Sequence, residues 1–241
     1  LAHLKIRKGG SGDFVDMLGD YQDFTSDQTN WSIYLNDLVI DTAGRLYGAI
    51  EGVYYSSQIH GALSMWAPSS LSRHPAGSGS WTRKTYPTEL NMWDIPIAAA
   101  ADSSDNLYAV WSTGSANVFY YYDAAGNSWT QKSYPTDAGS LKHLTWASGR
   151  LYALGLTASG WRFLNFNPAT NSWSAAAALP ADINGAADSS LAMAWDGANY
   201  IYLLRGDTTQ AFLRYSPSAA EWQTLADPNP YWTNISAVNG I

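Results

Sequence analysis

The sequence contains no cysteine and little charge. Without cysteine the chain forms no disulfide. Only 14% of the residues are charged, and 13 Lys and Arg against 20 Asp and Glu give a net charge of −7. This shortage of basic residues argues against nucleic acid as a partner and against binding to an anionic membrane surface. No apolar run reaches 18 residues, so we expect no membrane insertion through a spanning helix.

Sequence patterns typical of catalytic and metal sites are also scarce. The 4 His lack metal-ligand spacing, and there is neither a Gly-x-Ser-x-Gly motif nor a phosphate-binding loop. The sequence therefore predicts no metal, no cofactor and no enzymatic activity. A glycoside hydrolase, which needs two facing carboxylates, is the less favoured alternative. The best candidates for the two carboxylates of such a hydrolase are Glu89 and Asp94 on one loop, with Asp37 or Asp102 on inner strands.

Aromatic residues, in contrast, are abundant and recur at a regular spacing. A Leu-Tyr or Ile-Tyr pair precedes a tryptophan at nearly the same distance three times, in the pairs Tyr108 and Trp129, Tyr152 and Trp173, and Tyr202 and Trp222. A proline follows six or seven residues after each of these tryptophans and after Trp81, at Pro87, Pro135, Pro180 and Pro228. A period of about 45–50 residues containing several short strands is typical of propeller blades.

The repeat predicts an all-β fold, a five-bladed β-propeller of four-stranded antiparallel blades that forms one domain over residues 1–241. Four blades are expected at approximately 31–86, 95–134, 141–178 and 189–227. The fifth is split, with residues 232–241 supplying its inner strand and residues 1–24 the others. Pairing the N-terminal and C-terminal strands closes the ring and leaves no open sheet edge. The repeated tryptophans and Leu-Tyr pairs are interpreted as packing between adjacent blades.

Three short segments carry a family resemblance. NPATNSW, DAAGNSW and SPSAAEW, each after an LY-type strand and before a proline, resemble bacterial kelch-like repeats over roughly Leu46–Trp222. The kelch double glycine is absent, so the repeats are divergent. WSIYLNDLVIDTAGRLYGAI is similar to five-bladed tachylectin-type lectins. The resemblances imply a binding scaffold and, for the lectins, amino-sugar ligands, but neither family's ligand residues transfer to this chain.

The loops that join successive blades differ from one another, and variation on a regular scaffold often marks function. Three of these loops carry a tryptophan outside the repeat, and aromatic faces beside Asp and Asn side chains suit sugars. The sequence therefore predicts a carbohydrate site on the top face of the propeller, although these rings could instead plug the central channel. The candidate ligand residues are Trp31, Trp93, Asp94, Asp182, Asn184, Trp232 and Asn234.

A structural role is the alternative to a lectin. In that case the protein is an adhesive surface or filament subunit that contacts another surface protein or further copies of itself. Few lysines and many polar uncharged residues favour an extracellular or cell-surface location, and we interpret the start at Leu1 as processing of a longer chain. Asn30 and Asn234 fit the N-glycosylation pattern.

Overall fold

The structure is a computed structural model that describes residues 5–6, 15–16, 31–40, 46–54, 58–68, 79–83, 85, 87–91, 94–184, 186, 191–206 and 211–226. Within these residues the fold is all-β apart from one helical turn, α1 (Ala181–Asn184). No helix among them is long and apolar enough to cross a membrane. The predicted all-β class is therefore confirmed.

The described strands form four four-stranded antiparallel sheets and one two-stranded pair. The short pair joins β1 (Lys5–Ile6) to β2 (Val15–Asp16). Each larger sheet uses four consecutive strands in sequence order. Sheet 1 contains β3 (Trp31–Ile40), β4 (Leu46–Tyr54), β5 (Gln58–Pro68) and β6 (Gly79–Arg83). Sheet 2 contains β7 (Ile95–Ala101), β8 (Leu107–Ser112), β9 (Asn117–Asp123) and β10 (Ser128–Lys132). Sheet 3 contains β11 (Ser140–Ala147), β12 (Arg150–Thr157), β13 (Gly160–Asn167) and β14 (Ser172–Ala175). Sheet 4 contains β15 (Leu191–Trp195), β16 (Ile201–Arg205), β17 (Ala211–Ser216) and β18 (Glu221–Thr224).

Successive sheets lie side by side through their first strands. Strand β3 contacts β7, β7 contacts β11, and β11 contacts β15. The described sheets do not close into a ring. The predicted closing blade falls on residues 1–24 and 232–241, of which only β1 and β2 are described. The five-bladed ring therefore stays a prediction.

A left-handed residue precedes the outermost strand in sheets 2, 3 and 4. Asn127, Asn171 and Ala220 have φ values of 48°, 49° and 55°. Asparagine tolerates this conformation better than most residues, because its short polar side chain can form local hydrogen bonds. The Asn127 side chain accepts a hydrogen bond of 2.7 Å from the Tyr122 hydroxyl. These turns place the repeated tryptophan at the same register in each sheet, opposite Tyr122, Phe166 and Tyr215.

The core consists of aromatic layers between neighbouring sheets. In sheets 2, 3 and 4, a tyrosine on the second strand stacks on a phenylalanine of the third strand. The three pairs are Tyr108 and Phe119, Tyr152 and Phe163, and Tyr202 and Phe212, with interplanar angles of 22°, 23° and 23°. The next sheet supplies rings that cover two of these stacks. Trp173 lies 5.3 Å from Phe119, and Trp222 lies 4.9 Å from Phe163. The predicted packing role of these two repeated tryptophans is therefore confirmed.

The indole N–H groups of Trp129 and Trp173 link the outer strands of sheets 2 and 3 to the chain that arrives from the preceding sheet. Trp173 Nε1 donates to the Ser133 carbonyl over 2.7 Å, and Trp129 Nε1 donates to the Thr85 carbonyl. Ser133 and Thr85 both follow the last strand of the preceding sheet. The same contact thus holds the connections into sheets 2 and 3 against the outer edges of those sheets.

Candidate binding cleft

The connections between sheets share a four-residue pattern of proline, any residue, acid and apolar residue. It occurs as Pro87-Thr88-Glu89-Leu90, Pro135-Thr136-Asp137-Ala138 and Pro180-Ala181-Asp182-Ile183. The apolar residue points inward, since Ala138 and Ile183 are fully buried and Leu90 is half-buried. The acidic residue is exposed each time. The repeat therefore presents one carboxylate at each connection.

A cleft of about 340 Å³ lies between the second of these connections and sheet 3. This volume is at the lower end of the range for small-ligand sites. One wall is formed by 133–137, the other by 171–175, and Leu164 lies between them. We call this the rim cleft.

The rim cleft combines apolar surfaces with a few polar groups. Tyr134, Pro135 and Trp173 supply the apolar surfaces, and the Asp137 carboxylate supplies a negative charge. Ser172 and Ser174 add hydroxyl groups. Such a cleft can hold a small ring and orient it by hydrogen bonds.

Tyr134 is fixed in place by two hydrogen bonds to the connection. Its hydroxyl donates to the Gly139 carbonyl and accepts from the Leu141 N–H, both over 2.9 Å. Burial raises the pKa of this phenol, although the bond from Leu141 opposes the change. Tyr134 therefore stays neutral at physiological pH and forms a rigid wall of the rim cleft.

Two glycines let this connection approach sheet 3 closely. A Cβ on Gly155 would overlap the Ala138 carbonyl oxygen and lie 3.2 Å from the Ala138 Cβ. Gly139 has a φ of 61°, and a Cβ there would overlap the Leu156 carbonyl. Trp111 and Arg205 occupy the position of Gly155 in sheets 2 and 4. The residue at this one position therefore differs at every connection.

The carboxylates considered for a hydrolase hold local structure. Asp94 is 4% exposed, and its Oδ2 accepts the Asn91 N–H over 2.8 Å. Asp102 Oδ1 accepts the N–H groups of Ser104 and Asn106 over 2.8 and 3.0 Å. Glu89 accepts a long hydrogen bond of 3.4 Å from the Tyr120 hydroxyl. Burial, and then the nearby Glu89 charge, raise the pKa of Tyr120 to about 12. The side chain of Asp37 lies outside the described residues.

The predicted carbohydrate site is only partly described. Asp182 and Asn184 lie in α1, and the Asp182 carbonyl accepts a hydrogen bond from Arg205 Nη1. The side chain of Trp31 and the residues Trp93, Trp232, Asn234 and Asn30 lie outside the described residues. The carbohydrate site and both glycosylation sites therefore stay predictions. Among the described residues no cluster of His, Asp and Glu could hold a metal ion.

Sequence analysis missed the rim cleft, although a signal for it is present. Thr85-Tyr86-Pro87-Thr88 and Ser133-Tyr134-Pro135-Thr136 are nearly identical, and each precedes an acidic residue. Only the proline of this pattern contributed to the predicted repeat. Function was therefore predicted at the tryptophans outside the repeat and not at the connection itself.

Comparison with known proteins gives one informative similarity. No family model and no curated protein matches this chain. Among solved structures, a puromycin-hydrolyzing peptidase of Mycobacterium tuberculosis matches with a TM-score of 0.51 and 14% identity. The match covers 80% of this chain and 29% of the peptidase, so the chain spans less than a third of that protein. At this identity the similarity shows a shared fold and assigns no residue a role.

Two expectations change with this comparison. The kelch-like and tachylectin-type resemblances are not confirmed. The prediction that the protein is not an enzyme is contradicted, because the similar structure belongs to a peptidase. The prediction rested on the scarcity of catalytic motifs, whereas function depends on the site that the folded chain forms, which a sequence motif need not mark.

Proposed function

We propose that the chain forms a five-bladed β-propeller domain that acts as a binding module at or outside the cell surface. The closed ring of five blades is supported by the stacked aromatic pair Tyr202 and Phe212 on sheet 4. In sheets 2 and 3 the matching pairs are covered by rings of the next sheet. A fifth blade built from residues 1–24 and 232–241 would cover the last pair in the same way.

Matched alanine variants test the fifth blade. Phe163 is 2% exposed and contacts Tyr152, Tyr215 and Trp222, so Phe163→Ala should cost about 3–5 kcal/mol. Phe212 contacts Tyr202 among the described rings and is half-buried. A covering blade predicts a loss for Phe212→Ala close to that of Phe163→Ala in urea unfolding. A loss of about 1 kcal/mol or less would contradict the closed ring.

The binding role is carried by the rim cleft, which brings rigid aromatic surfaces and a carboxylate together at a connection between sheets. Sequence analysis left two ligand classes open, a carbohydrate and the surface of another protein. The serine hydroxyls suit a sugar, but the small volume and the enclosing aromatic groups favour one side chain of a protein. We therefore place protein binding first and retain the glycan as the alternative ligand.

The test is a peptide array and a glycan array, each probed with wild type and with Leu164→Tyr. The larger side chain would fill the rim cleft from within sheet 3. Asp182→Asn is the control, since it changes the matching acid of another connection while keeping the carbonyl that Arg205 uses. Binding that Leu164→Tyr abolishes and Asp182→Asn preserves would support the proposal. Binding that all three proteins share would place the site elsewhere, and glycan binding that Asp182→Asn alone abolishes would favour the carbohydrate site predicted around Asp182.

A second candidate, a domain in peptide or amide hydrolysis, is supported by the similarity to the mycobacterial peptidase. The direct assay incubates the chain with puromycin and follows hydrolysis by chromatography. Turnover that scales with protein concentration would support this candidate. No turnover by the chain would count against activity residing in these 241 residues.

A further inference from the structure

We propose that the rim cleft receives the side chain of a tyrosine from a partner protein, with the phenol hydroxyl donating a hydrogen bond to Asp137. This inference rests on the proposed binding function and specifies its ligand. In sheet 2, a tyrosine of this chain already fills the position that corresponds to the rim cleft, and this comparison identifies the ligand.

The strand registers establish which residues correspond. In sheet 2, Tyr120 pairs with Ala109, and Trp129 pairs with Tyr122. In sheet 3, Leu164 pairs with Ala153, and Trp173 pairs with Phe166. Leu164 therefore occupies the position of Tyr120, and Trp173 that of Trp129. The shared connection pattern makes Asp137 the counterpart of Glu89.

In sheet 2 this place is occupied. The Tyr120 side chain is 1% exposed and packs edge-on against Trp129 at 6.4 Å. Its hydroxyl reaches the Glu89 carboxylate over 3.4 Å. The ring thus spans the distance from the outer tryptophan to the acid of the connection.

In sheet 3 the same two partners remain, but the ring is missing. Trp173, Asp137 and Leu164 all line the rim cleft. Leucine has neither the length nor the hydroxyl of tyrosine, so it cannot reach the carboxylate. Asp137 is exposed and has no hydrogen-bonding partner among the described residues. The rim cleft therefore has the same kinds of partner that hold the Tyr120 phenol in sheet 2, but Leu164 supplies no ring to fill it.

The negative charge of Asp137 decides between an unmodified tyrosine and one that carries a phosphate or sulfate group. A neutral phenol donates to a carboxylate in a charge-assisted hydrogen bond. A phosphate or sulfate ester on the ring would remove this donor and place like charges together. An unmodified tyrosine should therefore bind, and its phosphorylated form should not.

The experiment is an NMR titration of the full chain with N-acetyl-tyrosinamide, N-acetyl-phenylalaninamide and the O-phosphorylated tyrosine amide. Resonances of 133–137 and 171–175 should shift with the tyrosine amide. The phenylalanine amide should bind about tenfold more weakly, since it lacks the hydrogen bond to a charged acceptor. The phosphorylated compound should cause no shift.

Three variants assign the effect to the proposed atoms. Asp137→Asn should weaken the tyrosine amide several-fold while leaving the phenylalanine amide unchanged, because the Asn amide oxygen can accept only the weaker neutral hydrogen bond. Leu164→Tyr should abolish binding of both, because the cleft would then be filled as in sheet 2. Asp182→Asn should behave as wild type. If Leu164→Tyr loses its circular dichroism signal, the Asp137→Asn comparison decides alone.

Equal binding of the tyrosine and phenylalanine amides would overturn the tyrosine assignment. A saccharide that shifts the same resonances while both amides fail would also overturn it, yet would leave the rim cleft as a binding site. If no amide, array peptide or array glycan acts at the rim cleft, the proposed function fails as well.

Discussion

The most informative stability test compares Trp173→Phe with Trp222→Phe. The two indoles have nearly the same ring environment. Trp173 lies 5.3 Å from Phe119 and 5.1 Å from Phe166, and Trp222 lies 4.9 Å from Phe163 and 5.1 Å from Tyr215. They differ at the indole N–H. Trp173 Nε1 donates to Ser133, whereas the buried Trp222 Nε1 has no hydrogen-bond partner among the described residues.

The magnitude follows from this difference. Both changes remove the same indole surface, so the loss of packing is similar in the two variants. Trp173→Phe also removes a hydrogen bond, which contributes about 1 kcal/mol. Trp222→Phe removes a buried unpaired donor, whose burial costs about 1–3 kcal/mol. Trp173→Phe should therefore be less stable than Trp222→Phe by about 2 kcal/mol or more.

The assay is thermal and urea unfolding followed by circular dichroism at one protein concentration. For a chain of this size, 2 kcal/mol corresponds to a difference of about 4–8 °C in Tm. Equal destabilisation of the two variants would refute the view that the Trp173 indole hydrogen bond fastens its connection to sheet 3 while the unpaired Trp222 donor costs stability. A lower stability for Trp222→Phe would refute it more strongly.

Three further variants test other contacts. Gly155→Ala should lower the free energy of unfolding by about 2 kcal/mol in urea, because its Cβ would overlap the Ala138 carbonyl; a neutral result would contradict the close approach of that connection. Asp94→Ala should cost about 1–2 kcal/mol by the same measurement, since it removes the acceptor of the Asn91 N–H; wild-type stability would rule out this capping role. The pKa of Tyr120 is raised to about 12 from 10.0, so its stabilisation is complete below pH 10 and is lost as the pH rises towards 12. Tyr120→Phe should reduce the slope of that part of the pH–stability curve, to which other buried tyrosines also contribute, and an unchanged slope would contradict the raised pKa of Tyr120.

The regular part of the fold could be predicted from sequence because it repeats. The repeat predicted four-stranded antiparallel units, and sheets 1 to 4 have this form. The left-handed residues Asn127 and Asn171 lie within its segments DAAGNSW and NPATNSW. Local sequence decides these features, since alternation and left-handed turn residues act over a few positions. The packing of Trp173 and Trp222 on the preceding sheet followed from their recurrence.

The site could not be predicted in the same way, because it depends on what is missing from one repeat. The rim cleft exists because Leu164 replaces the ring present at Tyr120, and because Gly155 lets the connection approach. Neither residue is unusual by itself. Asp94 was predicted as a ligand residue because it is an acid in a loop, and neither its burial nor the backbone hydrogen bond that it accepts could be read from the sequence. Burial and hydrogen-bonding partners of this kind become visible only after the sheets have assembled.

The most direct test of the central claim is a crystal structure of Leu164→Tyr. We expect the new ring to lie in the rim cleft, edge-on to Trp173, with its hydroxyl within hydrogen-bonding distance of Asp137. This would reproduce the arrangement of Tyr120, Trp129 and Glu89 in sheet 2. A ring turned away from Asp137, with the rim cleft still open, would contradict the claim that the cleft is the vacant counterpart of the Tyr120 place.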